Sequence, residues 1–140
     1  MMKYKSLSPK DTYDIGKKFG SSLKGDEIII VSGELGSGKT HFIKGVAKHF
    51  GVDSKEVNSP TFTIMNIYYG DKIIYHLDLY RVSEEEAEEL ISEIEGKGVI
   101  ILEWGEKLNP FYFEKVKYLI EIRYKDEFHR EIEIKGFADD

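Results

Sequence analysis

The 140-residue sequence contains no cysteine, which excludes a disulfide framework, a thiolate metal site and a cysteine nucleophile. No apolar run approaches the roughly 20 residues that cross a bilayer, and Met1–Ser6 lack the apolar stretch of a signal peptide. Positive charge is also scarce, because 20 basic residues face 26 acidic ones and leave a net charge of −6. We therefore expect one cytoplasmic domain, residues 1–140, with no membrane and no DNA partner.

Hydrophobic patterns are present that predict alternating strands and helices. The continuous runs Ile28–Val31 and Val99–Leu102 are typical of parallel strands buried on both faces. Helices are predicted from Pro9 to a stop at Gly25, from Lys39 to a stop at Gly51, and after the capping box at Ser83–Glu86.

Period-two alternation predicts the remaining strands. Thr61–Tyr69 and Lys72–Asp78 are expected to be two strands joined at Gly70–Asp71. The tail alternates at Tyr118, Ile120 and Ile122 and again at Ile132 and Ile134, which predicts a hairpin with one solvent-exposed face.

A glycine-rich loop after the first buried strand matches the pattern G-x-x-x-x-G-K-[ST] in full. It consists of Gly33, Glu34, Leu35, Gly36, Ser37, Gly38, Lys39 and Thr40. Glycine permits backbone angles that turn N–H groups toward phosphates, the lysine supplies positive charge and the threonine hydroxyl ligates Mg²⁺. A glycine-rich turn that binds nothing is the alternative, but the position between a buried strand and an amphipathic helix disfavours it. The sequence therefore predicts a nucleoside triphosphate–Mg²⁺ site in a three-layer, P-loop NTPase-like α/β domain with a mixed central sheet and a C-terminal β-hairpin.

Two further apolar strands end in an acid, Asp78 and Glu103. Ligands of open α/β sheets lie at the carboxyl ends of the parallel strands, so either acid could hold Mg²⁺ through water or polarise the attacking water. The sequence does not divide these roles between them. His76 in the first of these strands is interpreted as a histidine at the edge of the core.

Two other residues near the predicted site are weaker candidates. Thr61 lies between the loop's helix and the next strand, where many phosphate-loop proteins carry a segment that senses the γ-phosphate. Arg81 follows Asp78 and could neutralise transition-state charge, although surface pairing with Glu84–Glu86 explains it equally well.

Four motifs in this order resemble the TsaE family, the small bacterial ATPases of tRNA threonylcarbamoyladenosine formation. They are the loop at 33–40, Ser-Pro-Thr-Phe-Thr at 59–63, His-Leu-Asp-Leu-Tyr-Arg at 76–81 and Glu-Trp at 103–104, and the resemblance runs from about Ser8 to about Ile134. It implies an ATPase that requires ATP and Mg²⁺, is slow alone and resets the TsaB–TsaD complex between turnovers. That complex carries out the transfer to adenosine 37 of tRNA, so tRNA is expected to be an indirect partner.

Residue by residue, the resemblance implies a site at the matching positions. Thr40 and Glu103 correspond to ligands of Mg²⁺, Asp78 to an acid at the nucleotide, and Thr61 to a residue of a switch-like segment. Trp104 corresponds to an aromatic residue important to the family. The adenine pocket is expected near Pro9, Thr12 and Arg130.

The sequence departs from the family pattern at two places. His41 stands where relatives commonly have a second threonine, so only its backbone N–H is expected to reach the α-phosphate. The stretch between Arg81 and Glu103 is shorter than usual.

Three other functions remain to be weighed against an ATPase. A small-molecule kinase on the same scaffold is the main alternative, but only three scattered arginines are available for a lid. A GTP-driven switch is disfavoured because the sequence has no Asn-Lys-x-Asp element for guanine. A nucleotide-bound scaffold that rarely hydrolyses is the third alternative.

Overall fold

A computed structural model describes residues 2–34, 37–58, 64–104 and 114–137. In chain order its elements are β1 (Met2–Ser6), α1 (Pro9–Gly20), β2 (Ile28–Gly33), α2 (Lys39–His49), one 3-10 turn (Ser54–Glu56), β3 (Met65–Tyr69), β4 (Ile73–Asp78), α3 (Glu84–Ile94), β5 (Val99–Glu103), β6 (Val116–Tyr124) and β7 (Arg130–Gly136). Over these ranges, no helix is long and apolar enough to span a bilayer.

The strands form one mixed sheet in the order β1-β7-β6-β2-β5-β4-β3. The central strand β2 is parallel to both β5 and β6, and β4 is parallel to β5. The β3–β4, β6–β7 and β1–β7 pairs are antiparallel. The mixed sheet and the C-terminal hairpin of β6 and β7 confirm the predicted fold class.

The core lies on both faces of this sheet, as the continuous apolar run in β2 predicts. Ile29 and Val31 of β2 pack in a cluster with α1 and α2, which contributes Phe42. The alternate residues Ile28 and Ile30 pack in a second cluster with α3. Because successive strand residues point to opposite faces, a run without polar residues buries both faces and produces three layers.

The helix α1 begins as predicted but ends earlier than predicted. The Ser8 hydroxyl accepts a hydrogen bond from the Asp11 N–H, and Pro9 occupies the first turn. The helix stops at Gly20 and not at Gly25, because the hydroxyls of Ser21 and Ser22 donate to carbonyls of its last turn. These serines satisfy acceptors that the helix leaves free, and Gly25, with φ of 117°, forms the later turn into β2.

The edge strands were predicted less well than the centre. The strand β1 was not predicted, because its five residues alternate too briefly to stand out and it forms only by pairing with β7. The strand β3 begins at Met65, while residues 61–63 of the predicted Thr61–Tyr69 strand lie outside the described residues.

The helices α1 and α2 touch at backbone level, which sets the position of the loop before α2. A Cβ atom on Gly16 would overlap the Phe42 carbonyl oxygen, and one on Gly45 would overlap the Tyr13 carbonyl oxygen. Both glycines therefore allow α1 and α2 to cross closely, although glycine destabilises a helix relative to alanine.

We expect Gly16→Ala to lower the free energy of unfolding by about 1–3 kcal/mol, the usual cost of overpacking. Helix propensity alone would raise it by about 1 kcal/mol, so the sign of the change identifies the close crossing. Urea unfolding measures the effect. The exposed neighbour Lys17 provides the control, because Lys17→Ala should change stability by less than about 0.5 kcal/mol. A more stable Gly16→Ala protein would contradict the helix contact.

Candidate functional site

The glycine loop leaves β2 at Gly33 and enters α2 at Lys39. A Cβ atom on Gly33 would lie 2.5 Å from the Ser37 hydroxyl oxygen and 2.7 Å from the Ile122 carbonyl oxygen. Gly38 has φ of 104°, which side chains rarely adopt. These two positions therefore require glycine, while Leu35 and Gly36 lie outside the described residues.

The beginning of α2 differs from that of the other two helices. Its N-cap is Gly38, which provides no side-chain cap, and its first turn contains no acid. By contrast, α1 carries Asp11 in its first turn and α3 carries Glu84–Glu86. N–H groups without a side-chain cap, in a first turn that carries no acid of its own, are suited to an anion at this helix end.

A buried polar atom lies in the same loop. The side chain of Ser37 is only 1% exposed, and among the described residues its hydroxyl has no hydrogen-bond partner. Because a buried hydroxyl without a partner is costly, the loop provides a polar cradle that a bound ligand would complete.

A carboxylate from the neighbouring strand meets the loop's lysine. Lys39 Nζ lies 3.5 Å from Glu103 Oε1, and Glu103 Oε2 lies 2.7 Å from His76 Nε2. Burial alone would raise the pKa of Glu103, but the hydrogen bond and charge of His76 and the charge of Lys39 outweigh it and hold the pKa below its ordinary value. Glu103 is therefore an ionised carboxylate at neutral pH.

The tryptophan after Glu103 also contacts this group. The Trp104 ring centroid lies 5.6 Å from Lys39 Nζ and 5.0 Å from the ring centroid of Tyr80. Trp104 is 41% exposed and has φ of 62°, a left-handed conformation that is rare for a bulky residue. The structure thus places Trp104 beside the loop and not in the core.

The two predicted acids come together at one edge of the sheet. Asp78 and Glu103 are register partners at the ends of the parallel strands β4 and β5. They differ in surroundings, because Glu103 is buried against Lys39 and His76, whereas Asp78 is half-buried and accepts a hydrogen bond from the Tyr80 N–H.

A cavity of about 260 Å³ lies next to the loop, at Ser37 and Gly38. It is lined by Pro9 and Thr12 of α1, by Gly38 and His41 at the start of α2, and by Arg130 of β7, among others. The three residues predicted for the adenine pocket are therefore brought together next to the glycine loop. Partial burial, then nearby Lys44, lowers the pKa of His41, which favours its neutral form.

The remaining candidates are less informative. Thr40 is half-buried in the first turn of α2, Glu34 is exposed beside the loop, and Arg81 is exposed in the turn between β4 and α3. Thr61, with the rest of residues 59–63, lies outside the described residues.

Sequence reasoning missed the partner of Glu103. His76 is fully buried, as its interpretation as a core-edge residue implies, but both of its ring nitrogens are engaged, one with Glu103 and one with Tyr68. The available signal was its position two residues before Asp78 in the same strand, which places both side chains on one face.

This fold, with its loop between a central parallel strand and a helix, defines the chain as a P-loop NTPase-like α/β domain. Residues 6–132 match the family model described as threonylcarbamoyl adenosine biosynthesis protein TsaE, and the chain belongs to that family.

Similar proteins agree with this assignment. The tRNA threonylcarbamoyladenosine biosynthesis protein TsaE of Aquifex aeolicus is 39% identical, over 91% of this chain and 90% of its own length. The protein of the same name from Treponema pallidum is 36% identical over 76% of this chain and 81% of its own length. The crystal structure of YdiB from Bacillus subtilis superposes with a TM-score of 0.75 at 28% identity, over 98% of this chain and 86% of that chain.

Proposed function

We propose that this protein is an ATPase that binds ATP with Mg²⁺ and couples hydrolysis to turnover of a TsaB–TsaD complex in the formation of threonylcarbamoyladenosine at position 37 of tRNA. The observation that supports it most is the meeting of Lys39 with the ionised Glu103 at the uncapped start of α2. A cation, a carboxylate and free backbone N–H groups at one point are the parts that phosphoryl transfer to water requires.

The residues present fit a magnesium ion. The hydroxyl of Thr40 and the carboxylate of Glu103 are hard oxygen donors, and Mg²⁺ is usually held by one or two such protein ligands together with substrate phosphates. The described residues contain no cluster of three or more acidic or histidine side chains suited to a metal. When bound beside Thr40 and Glu103, Mg²⁺ would supply positive charge that offsets the charge of the substrate phosphates.

The chain's own residues have distinct roles in this proposal. The backbone N–H groups from Gly33 to Thr40 hold the phosphates, and Lys39 turns from Glu103 toward the β- and γ-phosphates. Glu103 and Asp78, side by side at the strand ends, arrange the metal and the attacking water. Thr61 is assigned to sensing the γ-phosphate.

The cavity beside the loop provides a place for the adenine base. Arg130 of this cavity donates a hydrogen bond to the Asp126 carbonyl oxygen at 2.7 Å and lies 4.5 Å from the Tyr124 ring centroid. These contacts restrain its guanidinium, and in this proposal the planar base stacks on it. We assign Pro9 and Thr12 to the opposite wall.

Steady-state phosphate release, measured with and without the TsaB–TsaD complex, tests this function. We expect slow ATP hydrolysis by the isolated protein and a clear rise when the partners are added, because the coupled cycle needs them. The exposed Lys48→Ala variant is the matched control and should be stimulated like the unmodified protein. Transfer of phosphate to an added metabolite would indicate a kinase, and activity that is flat under all conditions would indicate a nucleotide-bound scaffold.

A further inference from the structure

A chain of hydrogen bonds, buried at Glu103 and His76, leads away from Glu103 and is not explained by phosphate binding. His76 Nε2 lies 2.7 Å from Glu103 Oε2, and His76 Nδ1 lies 3.0 Å from the Tyr68 hydroxyl oxygen. The Tyr68 hydroxyl in turn donates to the Asn58 carbonyl oxygen at 3.0 Å. Three side chains and one backbone group therefore form a continuous path from the Glu103 carboxylate at the end of β5 to Asn58 in the segment after α2.

We propose that His76 and Tyr68 are positioning residues, which hold the Glu103 carboxylate in its hydrolytic orientation and tie it to the backbone at Asn58. This proposal rests on the proposed ATPase function and names residues that act through Glu103 and do not touch the nucleotide themselves.

The two oxygens of Glu103 have different neighbours, which is the basis for an orienting role. Oε2 bonds to His76, while Oε1 faces Lys39 at 3.5 Å. A glutamate side chain has three rotatable bonds, so a carboxylate without the first contact would be free to turn Oε1 away from the loop. His76 prevents this because its ring is rigid, fully buried and held on its other side by Tyr68.

Tyr68 extends this support to another part of the chain. Asn58 accepts from the Tyr68 hydroxyl through its carbonyl oxygen and donates to the same hydroxyl oxygen from its N–H at 3.3 Å. Tyr68 is 4% exposed, and its ring packs 5.9 Å from the His76 ring. A displacement of the backbone at Asn58 would therefore shift Tyr68 and His76 together.

A pair of substitutions at His76 separates positioning from a structural role. In His76→Gln the amide nitrogen takes the place of Nε2 and keeps the bond to Glu103, whereas in His76→Asn it takes the place of Nδ1 and loses that bond. For His76→Asn we expect a fall in kcat of about 10- to 100-fold, the usual effect of removing an orienting partner, with an unchanged Kd for ATP. His76→Gln should retain kcat within about threefold of the unmodified protein.

Tyr68→Phe tests the contacts of the Tyr68 hydroxyl with His76 and Asn58. It also tests the proposal if the His76 variants do not fold. It should lower kcat with no change in Kd, because it removes the hydroxyl and keeps the ring. The neighbouring Tyr69 is 73% exposed, so Tyr69→Phe is the matched control and should leave kcat unchanged.

The outcomes distinguish this proposal from the function on which it rests. Equal loss of kcat in His76→Gln and His76→Asn, in parallel with their melting temperatures, would overturn positioning and assign His76 a structural role. An active protein whose kcat is insensitive to all three variants would overturn the proposal and leave the ATPase function intact. An unmodified protein that hydrolyses no ATP with its partners present would overturn both.

Discussion

Replacing Lys39 with alanine is expected to weaken ATP binding by about 100-fold or more. Charge-assisted hydrogen bonds contribute roughly 1.5–3 kcal/mol each, and each 1.4 kcal/mol is about a factor of ten in affinity. Lys39 is expected to make such bonds to two phosphates, since it lies in the glycine loop and is the first residue of α2. Isothermal titration calorimetry with ATP and Mg²⁺ measures the loss.

Two comparisons make this result specific to the phosphate site. Lys48→Ala removes an exposed lysine from the same helix and should leave the affinity unchanged, which separates a local contact from the overall charge. Lys39→Ala also removes an ion-pair partner of Glu103, but His76 still holds that carboxylate, so the variant should remain folded in a thermal melt. A folded Lys39→Ala protein with the affinity of the unmodified protein would refute the phosphate site.

Glu103→Gln is expected to lower kcat for ATP hydrolysis by about 10²- to 10³-fold, within the range for a lost catalytic acid–base or electrostatic group. The Kd for ATP should not rise and should fall slightly, because glutamine removes the negative charge that competes with phosphate for Lys39. Glutamine has nearly the same volume and still offers an oxygen to His76, so the effect reports on charge. Single-turnover hydrolysis and calorimetry on the same preparation measure the two quantities, and Glu103→Ala should show the same separation.

The dependence of ATP hydrolysis on Mg²⁺ concentration then distinguishes the roles of Glu103 and Asp78. If Glu103 holds the metal, Glu103→Gln should raise the Mg²⁺ concentration that gives half-maximal activity; if it orients water, only kcat should fall. Asp78→Asn provides the reciprocal measurement at the neighbouring strand end. The exposed Glu93→Gln on α3 is the control. Equal losses of binding and turnover in Glu103→Gln would assign it a structural role.

Much of the fold could be predicted because its signals are local. The Ser83 capping box forms as predicted, with Ser83 and Glu86 bonded reciprocally. The continuous apolar run in β2 correctly indicated burial on both faces, and Gly51, with φ of 85°, lies just after α2. Each depends on a few neighbouring residues and on geometry that is the same in any protein.

The predictions that failed concern features that depend on contacts outside the local sequence pattern. The strand β1 exists only because β7, far along the chain, provides an edge to pair with. The end of α1 depends on two serine hydroxyls that return to its last carbonyls. Neither contact leaves a signal in the hydrophobic periodicity of the sequence. The end of α1 was therefore predicted at Gly25.

The features of the site also divide into those that local sequence predicts and those that it does not. The sequence by itself determined the glycine loop, the acids at two strand ends and the family, because these are motifs of fixed residue types at fixed spacing. Only the tertiary structure decided that Glu103 would be held by Lys39 on one side and by His76, 27 residues away, on the other. Strand order and register bring these three side chains together, and both arise from the packing of the whole sheet, which no local pattern encodes.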